Sequence, residues 1–155
     1  MRRLSHILLV AVLLLGVGCD SDNEPSLAEQ FIGTWTLNAV SDDVGDRTDL
    51  IFSAANGLTL TFNDDQSYSL FFDAIDDTGD ISLAGTFNVS EARSVVALSV
   101  PFIPDAPPSN VDFGYTFVTD SQVDLTVDAL IVNTLLMTTG TPAALQGLVT
   151  LSVTK

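Results

Sequence analysis

Residues 57–74 carry the feature that most limits the fold. Leu58, Leu60 and Phe62 alternate with Thr59 and Thr61, an Asn-Asp-Asp-Gln stretch follows, and Tyr68, Leu70 and Phe72 resume the apolar set. Strand side chains point alternately to two faces, so the pattern predicts two half-buried strands, Gly57–Asn63 and Ser67–Ala74, joined as a hairpin. Asn and Asp suit the turn because their side chains satisfy turn backbone. Phe71 falls on the outward face beside Ser69 and breaks the alternation.

The same period recurs along the chain. Phe31–Val40 turns Trp35, Leu37 and Ala39 inward; Ile81–Val89 does so with Leu83, Gly85, Phe87 and Val89; Ser94–Val100 with Val96, Leu98 and Val100. Val111–Thr119 carries Phe113, Tyr115 and Phe117 on one face, Val123–Asp128 carries Val123, Leu125 and Val127, and Leu148–Thr154 carries Val149, Leu151 and Val153. Gly85 in mid-strand implies a bend or bulge. Pro101–Ser109 holds four prolines, which cannot donate to a ladder, and so predicts a loop, with Phe102 and Ile103 tucked onto something. Ser41–Asn56 is an acidic connection with room for one helical turn around Leu50, Ile51 and Phe52.

Ala129–Met137 is apolar on every side without clean alternation. Asp128 could cap a helix there and Gly140 could stop it, which favours a short buried helix over an extra strand. Thr141–Gln146 could add one more helical turn ended by Gly147. Roughly eight strands joined mostly by short turns predict an all-β, antiparallel, up-and-down arrangement. About eight strands can close into a barrel that side chains fill or that holds one small ligand, and closure removes exposed edges. A two-sheet β-sandwich is the alternative.

Ahead of this domain lies a leader: Arg2 and Arg3, an apolar run from Ile7, then small residues before Cys19. That order predicts a secretory signal helix over residues 1–18. The apolar run is shorter than the roughly 20 residues a spanning helix needs. Val17-Gly18-Cys19 resembles the lipobox of bacterial lipoproteins, with Leu15 one place further back than the usual leucine. The resemblance implies that Cys19 is acylated, with chains such as palmitate, and begins the mature protein. Two acyl chains anchor stably where one is marginal. The expected location is the bacterial cell envelope, lipid-anchored to a membrane and facing the periplasm or the exterior. Residues 19–30 then form a polar tether and 31–155 the domain.

Loss of residues 1–18 would take Arg2, Arg3 and His6 away and move the formal charge from −15 to −17. Only Arg47, Arg93 and Lys155 remain as cations against 20 acidic residues. A surface this acidic keeps a protein soluble and monomeric, and it has almost nothing to neutralise phosphates, which argues against nucleic acid. At 46% hydrophobic residues the chain is too apolar to be disordered.

Without histidine, and with Cys19 as the only cysteine, the domain lacks a neutral-pH base, a Ser-His-Asp triad and a Cys/His zinc site. The expectation is a non-enzyme with no cofactor and no metal. Carboxylate pairs and a calcium loop at Asp73, Asp76, Asp77 and Asp80 are the weaker alternatives, since these residues suit a solvated acidic turn. The inward aromatic set, Trp35, Tyr68, Phe72, Phe87, Tyr115 and Phe117, could line a pocket for a small apolar ligand or form an ordinary core. A buried Tyr68 or Tyr115 hydroxyl would need a partner.

Gly33-Thr34-Trp35, within Phe31–Leu37, resembles the first-strand Gly-x-Trp of the lipocalin-like superfamily, and Leu60–Ser69 and Gly85–Val89 resemble later strands of lipocalin-like lipoproteins. The resemblance implies a lipocalin-like β-barrel and a ligand cavity. It also implies an arginine near the last strand that covers the tryptophan; only Lys155 lies there, and the cap is not carried over. The expected function is therefore an anchored lipoprotein that binds a small apolar molecule or lipid. The alternative is a filled barrel meeting a protein partner through Phe71, the proline loop or Ala129–Met137.

Overall fold

The computed structural model describes residues 25–53, 55–75, 80–102, 107–138 and 144–155. The leader, Cys19, Asp76, Asp77, Ile103 and the helical turn expected to start at Thr141 lie, wholly or in part, outside the described residues.

Nine strands follow one another: β1 (Gly33–Asp42), β2 (Gly45–Asp46), β3 (Ala55–Phe62), β4 (Ser67–Ala74), β5 (Ile81–Ser90), β6 (Val95–Val100), β7 (Ser109–Thr119), β8 (Gln122–Asp128) and β9 (Leu148–Thr154). Among the described residues three short α-helices, α1 (Leu27–Phe31), α2 (Thr48–Phe52) and α3 (Ala129–Thr138), and one 3-10 turn at Glu91–Arg93 interleave with them. Apart from β2, a two-residue hairpin partner of β1, each strand pairs antiparallel with its chain neighbours. β1 also pairs with β9, from Thr36↔Thr154 to Ser41↔Thr150, which closes an eight-stranded up-and-down barrel. The sandwich alternative is thereby excluded.

The alternation places the core as expected along most strands. Leu60, Phe62, Tyr68, Phe72, Val96 and Leu98 are all buried, and Phe71 is exposed. The β3–β4 turn is built by its own polar side chains. Asp65 Oδ1 accepts the Ser67 N–H at 2.9 Å, and Asn63 Nδ2 donates to Ser67 Oγ at 2.9 Å.

Two local features differ from the sequence reading. Ala39 is not the third inward residue of β1, because a bulge shifts the β1–β9 register between Leu37 and Ala39. One extra residue inverts the period, so Val40 takes the buried place and Ala39 is half-buried. The first strand also starts later than Phe31. Ser26 Oγ accepts the Glu29 N–H at 3.3 Å while Glu29 Oε2 accepts the Ser26 N–H at 2.6 Å. This reciprocal capping box begins α1 inside the stretch assigned to the tether, and Phe31 becomes its last, fully buried residue.

In an up-and-down barrel the helices fall at opposite ends. α1 leads into the start of β1 and sits beside Phe62 at the end of β3 and Phe117 near the end of β7. α2 joins β2 to β3 and α3 joins β8 to β9, so both cover the other end, called the mouth below. Among the described residues no helix is long and apolar enough to cross a membrane.

Candidate ligand cavity

The barrel interior is divided by height into an aromatic end and an aliphatic end. At the aromatic end Phe31 is the plug. Its ring meets Phe62 at 5.4 Å, Tyr115 at 5.2 Å and Phe117 at 5.1 Å, mostly edge to face. Phe87 continues the cluster 4.8 Å from Phe62, and Trp35 lies 6.4 Å from Phe117. Such offset and T-shaped pairs suit the ring quadrupoles. The buried indole N–H of Trp35 donates to the Phe31 carbonyl at 2.6 Å, which ties β1 to the end of α1.

Lys155 completes this end and corrects the reading that left the tryptophan uncovered. Its Nζ sits 4.5 Å from the Trp35 ring centre and donates to the Gln30 carbonyl at 2.7 Å. A cation over an indole face is attracted by the ring quadrupole. Partial burial lowers the Lys155 pKa below its ordinary value.

Tyr68 is spent on structure. It faces Gly85 across the β4–β5 ladder, and its hydroxyl donates to the Ser99 carbonyl on β6 at 3.1 Å. Burial raises its pKa to about 12. Gly85 makes this path possible. A Cβ there would collide with the Ser99 carbonyl oxygen and lie 3.0 Å from the Tyr68 ring.

The aliphatic end holds a cavity of about 70 Å³. Among the described residues its lining is wholly apolar: fifteen of seventeen are Leu, Ile or Val, and the others are Phe72 and Phe113. Leu60, Leu98, Leu125 and Leu151 come from the strands, Ile51 from α2, and Leu136 is one of four residues from α3. Of the six aromatic residues singled out in the sequence, only Phe72 lines this cavity. Trp35, Phe87, Tyr115 and Phe117 belong to the aromatic end.

The sequence carried a usable signal for this division. Inward ladders run from aromatic to aliphatic toward the mouth, as in Trp35 to Leu37, Phe62 to Leu60 to Leu58, and Phe87 to Leu83 to Ile81.

The mouth is covered by two helices that are held differently. α2 is fixed to β1 by Thr48, whose Oγ1 accepts the Val40 N–H at 3.0 Å, and by the Arg47 N–H donating to the Val40 carbonyl at 2.8 Å. α3 starts where Ala129 N–H donates to the Gly147 carbonyl at 2.8 Å and Asp128 Oδ1 accepts the Leu130 N–H at 2.8 Å. The helix expected over Ala129–Met137 is therefore present and capped at Asp128 as read, while Gly140 lies outside the described residues. It is not buried all round: Leu130 and Met137 are 70% and 65% exposed. Ala144–Gln146, the described part of the expected second helical turn, forms no helix, with Leu145 buried.

Beside the mouth, Asp42 is the most heavily engaged carboxylate among the described residues. It accepts the N–H groups of Val44, Gly45 and Gln146 and pairs with Arg47 Nε at 3.2 Å, its side chain fully shielded from solvent. Burial alone would raise its pKa; the accepted bonds outweigh that and hold it below the usual carboxylate range. Among the described residues no three His, Cys, Asp or Glu side chains are grouped to hold a metal ion. The four-aspartate calcium grouping has Asp76 and Asp77 outside that set.

No protein-family model matches the chain, and no curated protein does.

Proposed function

We propose that this protein is a lipid-anchored lipoprotein of the cell envelope whose barrel binds a small apolar molecule or lipid chain, without catalysis. One observation carries the reading: an interior cavity whose described lining residues are all apolar, at the end of the barrel away from α1. An unpolar lining offers nothing to orient or activate a reacting group and favours apolar surface. The described residues begin at Pro25, just before α1 at the aromatic end, the end of the barrel away from the mouth.

The test is native mass spectrometry of the protein purified from its own envelope. A stoichiometric apolar adduct is expected, and its repeated absence would overturn ligand binding. Cys19→Ser should release the protein from membranes; continued co-fractionation would overturn the anchor.

A second reading has its own support. Leu130 and Met137 present apolar surface outward from α3. A barrel without a ligand, meeting a protein partner through that face, is the function left if no adduct is found.

A further inference from the structure

Inward leucines between the aromatic end and the mouth form a girdle whose width the sheet fixes. Leu60 pairs with Trp35 on β1 and with Leu70 on β4, Leu98 pairs with Phe87 and Val111, and Leu125 pairs with Tyr115 and Leu151. Each is therefore held in a ladder on both sides, and all three are buried and line the cavity. Rings close the space beneath them. Phe62 is the next inward residue after Leu60 on β3, and Phe87 meets it at 4.8 Å. The floor and girth of the cavity thus come from the closed sheet rather than from whatever covers the mouth.

A void of about 70 Å³ in this place favours an apolar guest over water. It exceeds the ~10–15 Å³ that one water needs, but a buried water also needs two to four polar partners, and the described lining side chains offer none. An unfilled void leaves its lining without dispersion partners on one side, and an apolar guest restores those contacts. The volume sets the size of that guest. An apolar cavity of ~150 Å³ admits benzene, so about 70 Å³ takes roughly half as much, about three carbons.

We infer that the leucine girdle is a binding site for one compact apolar group of about three carbons, and that carbon beyond that length adds little affinity. This rests on the reading that the barrel binds an apolar ligand, and it names the group such a ligand presents: a propyl-sized end rather than the length of an acyl chain. A site that reads so short a group gives the long acyl chains of a membrane no advantage over a small ligand.

The experiment uses the full chain with methyl-labelled leucine and valine, followed by NMR during titration with xenon, ethane, propane, butane and hexane. Xenon and propane should move the Leu60, Leu98 and Leu125 methyls saturably and leave those of Val96 and Val123, which are buried outside the lining, in place. Affinity should rise about fourfold from ethane to propane, one methylene, and by less than about twofold in all from butane to hexane. A continued fourfold gain per methylene up to hexane overturns the size limit and leaves apolar binding standing. Shifts at Val96 and Val123 equal to those of the three leucines overturn the girdle as the site. Absence of any saturable shift overturns the inference; an apolar adduct in native mass spectrometry would then keep the ligand-binding reading, and its absence would end both. Leu125→Ala roughly doubles the void and should bind benzene at least tenfold more tightly than wild type does. A folded Leu125→Ala with no such gain overturns the size limit. If that variant does not fold, the wild-type alkane series decides alone.

Discussion

Replacing Phe31 by alanine tests whether the barrel has two independent compartments. The ring is fully buried and meets three aromatic neighbours within 5.1–5.4 Å. Truncating a buried phenylalanine costs about 3–5 kcal/mol, of which each ring pair supplies roughly 0.5–1.5 beyond area burial. Domains are stable by about 5–15 kcal/mol, so the variant should remain folded with a much lower urea midpoint. Trp35 is the only tryptophan, and its N–H bonds the Phe31 backbone rather than the ring. Its fluorescence therefore reports the loss of the plug without losing its own hydrogen bond, and emission should shift to the red as water enters. The apolar adduct expected in native mass spectrometry should be retained, because Phe31 is not among the described lining residues of the mouth cavity. A stability loss under about 1 kcal/mol with unchanged emission would refute the plug. Loss of that adduct in a folded variant would refute the separation of the two ends.

Gly85→Ala should lower stability by about 2–4 kcal/mol in urea titration, from overpacking against Ser99 and loss of the Tyr68–Ser99 bond, whereas Tyr68→Phe should cost only about 1. A Gly85→Ala midpoint equal to wild type would show that β5 and β6 can part freely. Asp42 gives the pH dependence: its folded pKa lies below the unfolded value near 3.9, so its contribution is full above that pH and is lost as pH falls through the folded value. The stability advantage of wild type over Asp42→Asn should accordingly be constant near neutrality and shrink in acid. A gap that persists unchanged to pH 2 would remove Asp42 as the titrating group.

How much of this was legible in the residues follows from what a period can encode. Alternation separates inside from outside, and it located the strands, the β3–β4 turn and exposed Phe71. Cap chemistry at Asp128 located α3. Alternation does not encode height along the barrel, so Trp35 and Phe72 looked equivalent although they lie in different compartments. A bulge at Asn38 has no local sequence mark and inverted the phase at Ala39 and Val40. The role of Lys155 depends on two chain ends, Gln30 and β9, meeting across the closed sheet. Phe31 was readable: Ser26 and Glu29 have capping-box spacing, but a strand beginning at Phe31 obscured it.

The pairing of Asp128 with Leu148, followed by the Ala129–Gly147 bond, makes the whole connection between β8 and β9 equivalent, as far as the sheet is concerned, to a hairpin turn. Chain can be added or removed between those points without breaking a ladder bond. Doubling a loop costs only about 0.6 kcal/mol in closure entropy. The barrel and its cover are thus separable units of variation. Relatives of this chain could change the size and chemistry of the mouth through one interval of sequence while the strands, the aromatic end and its lysine stay the same.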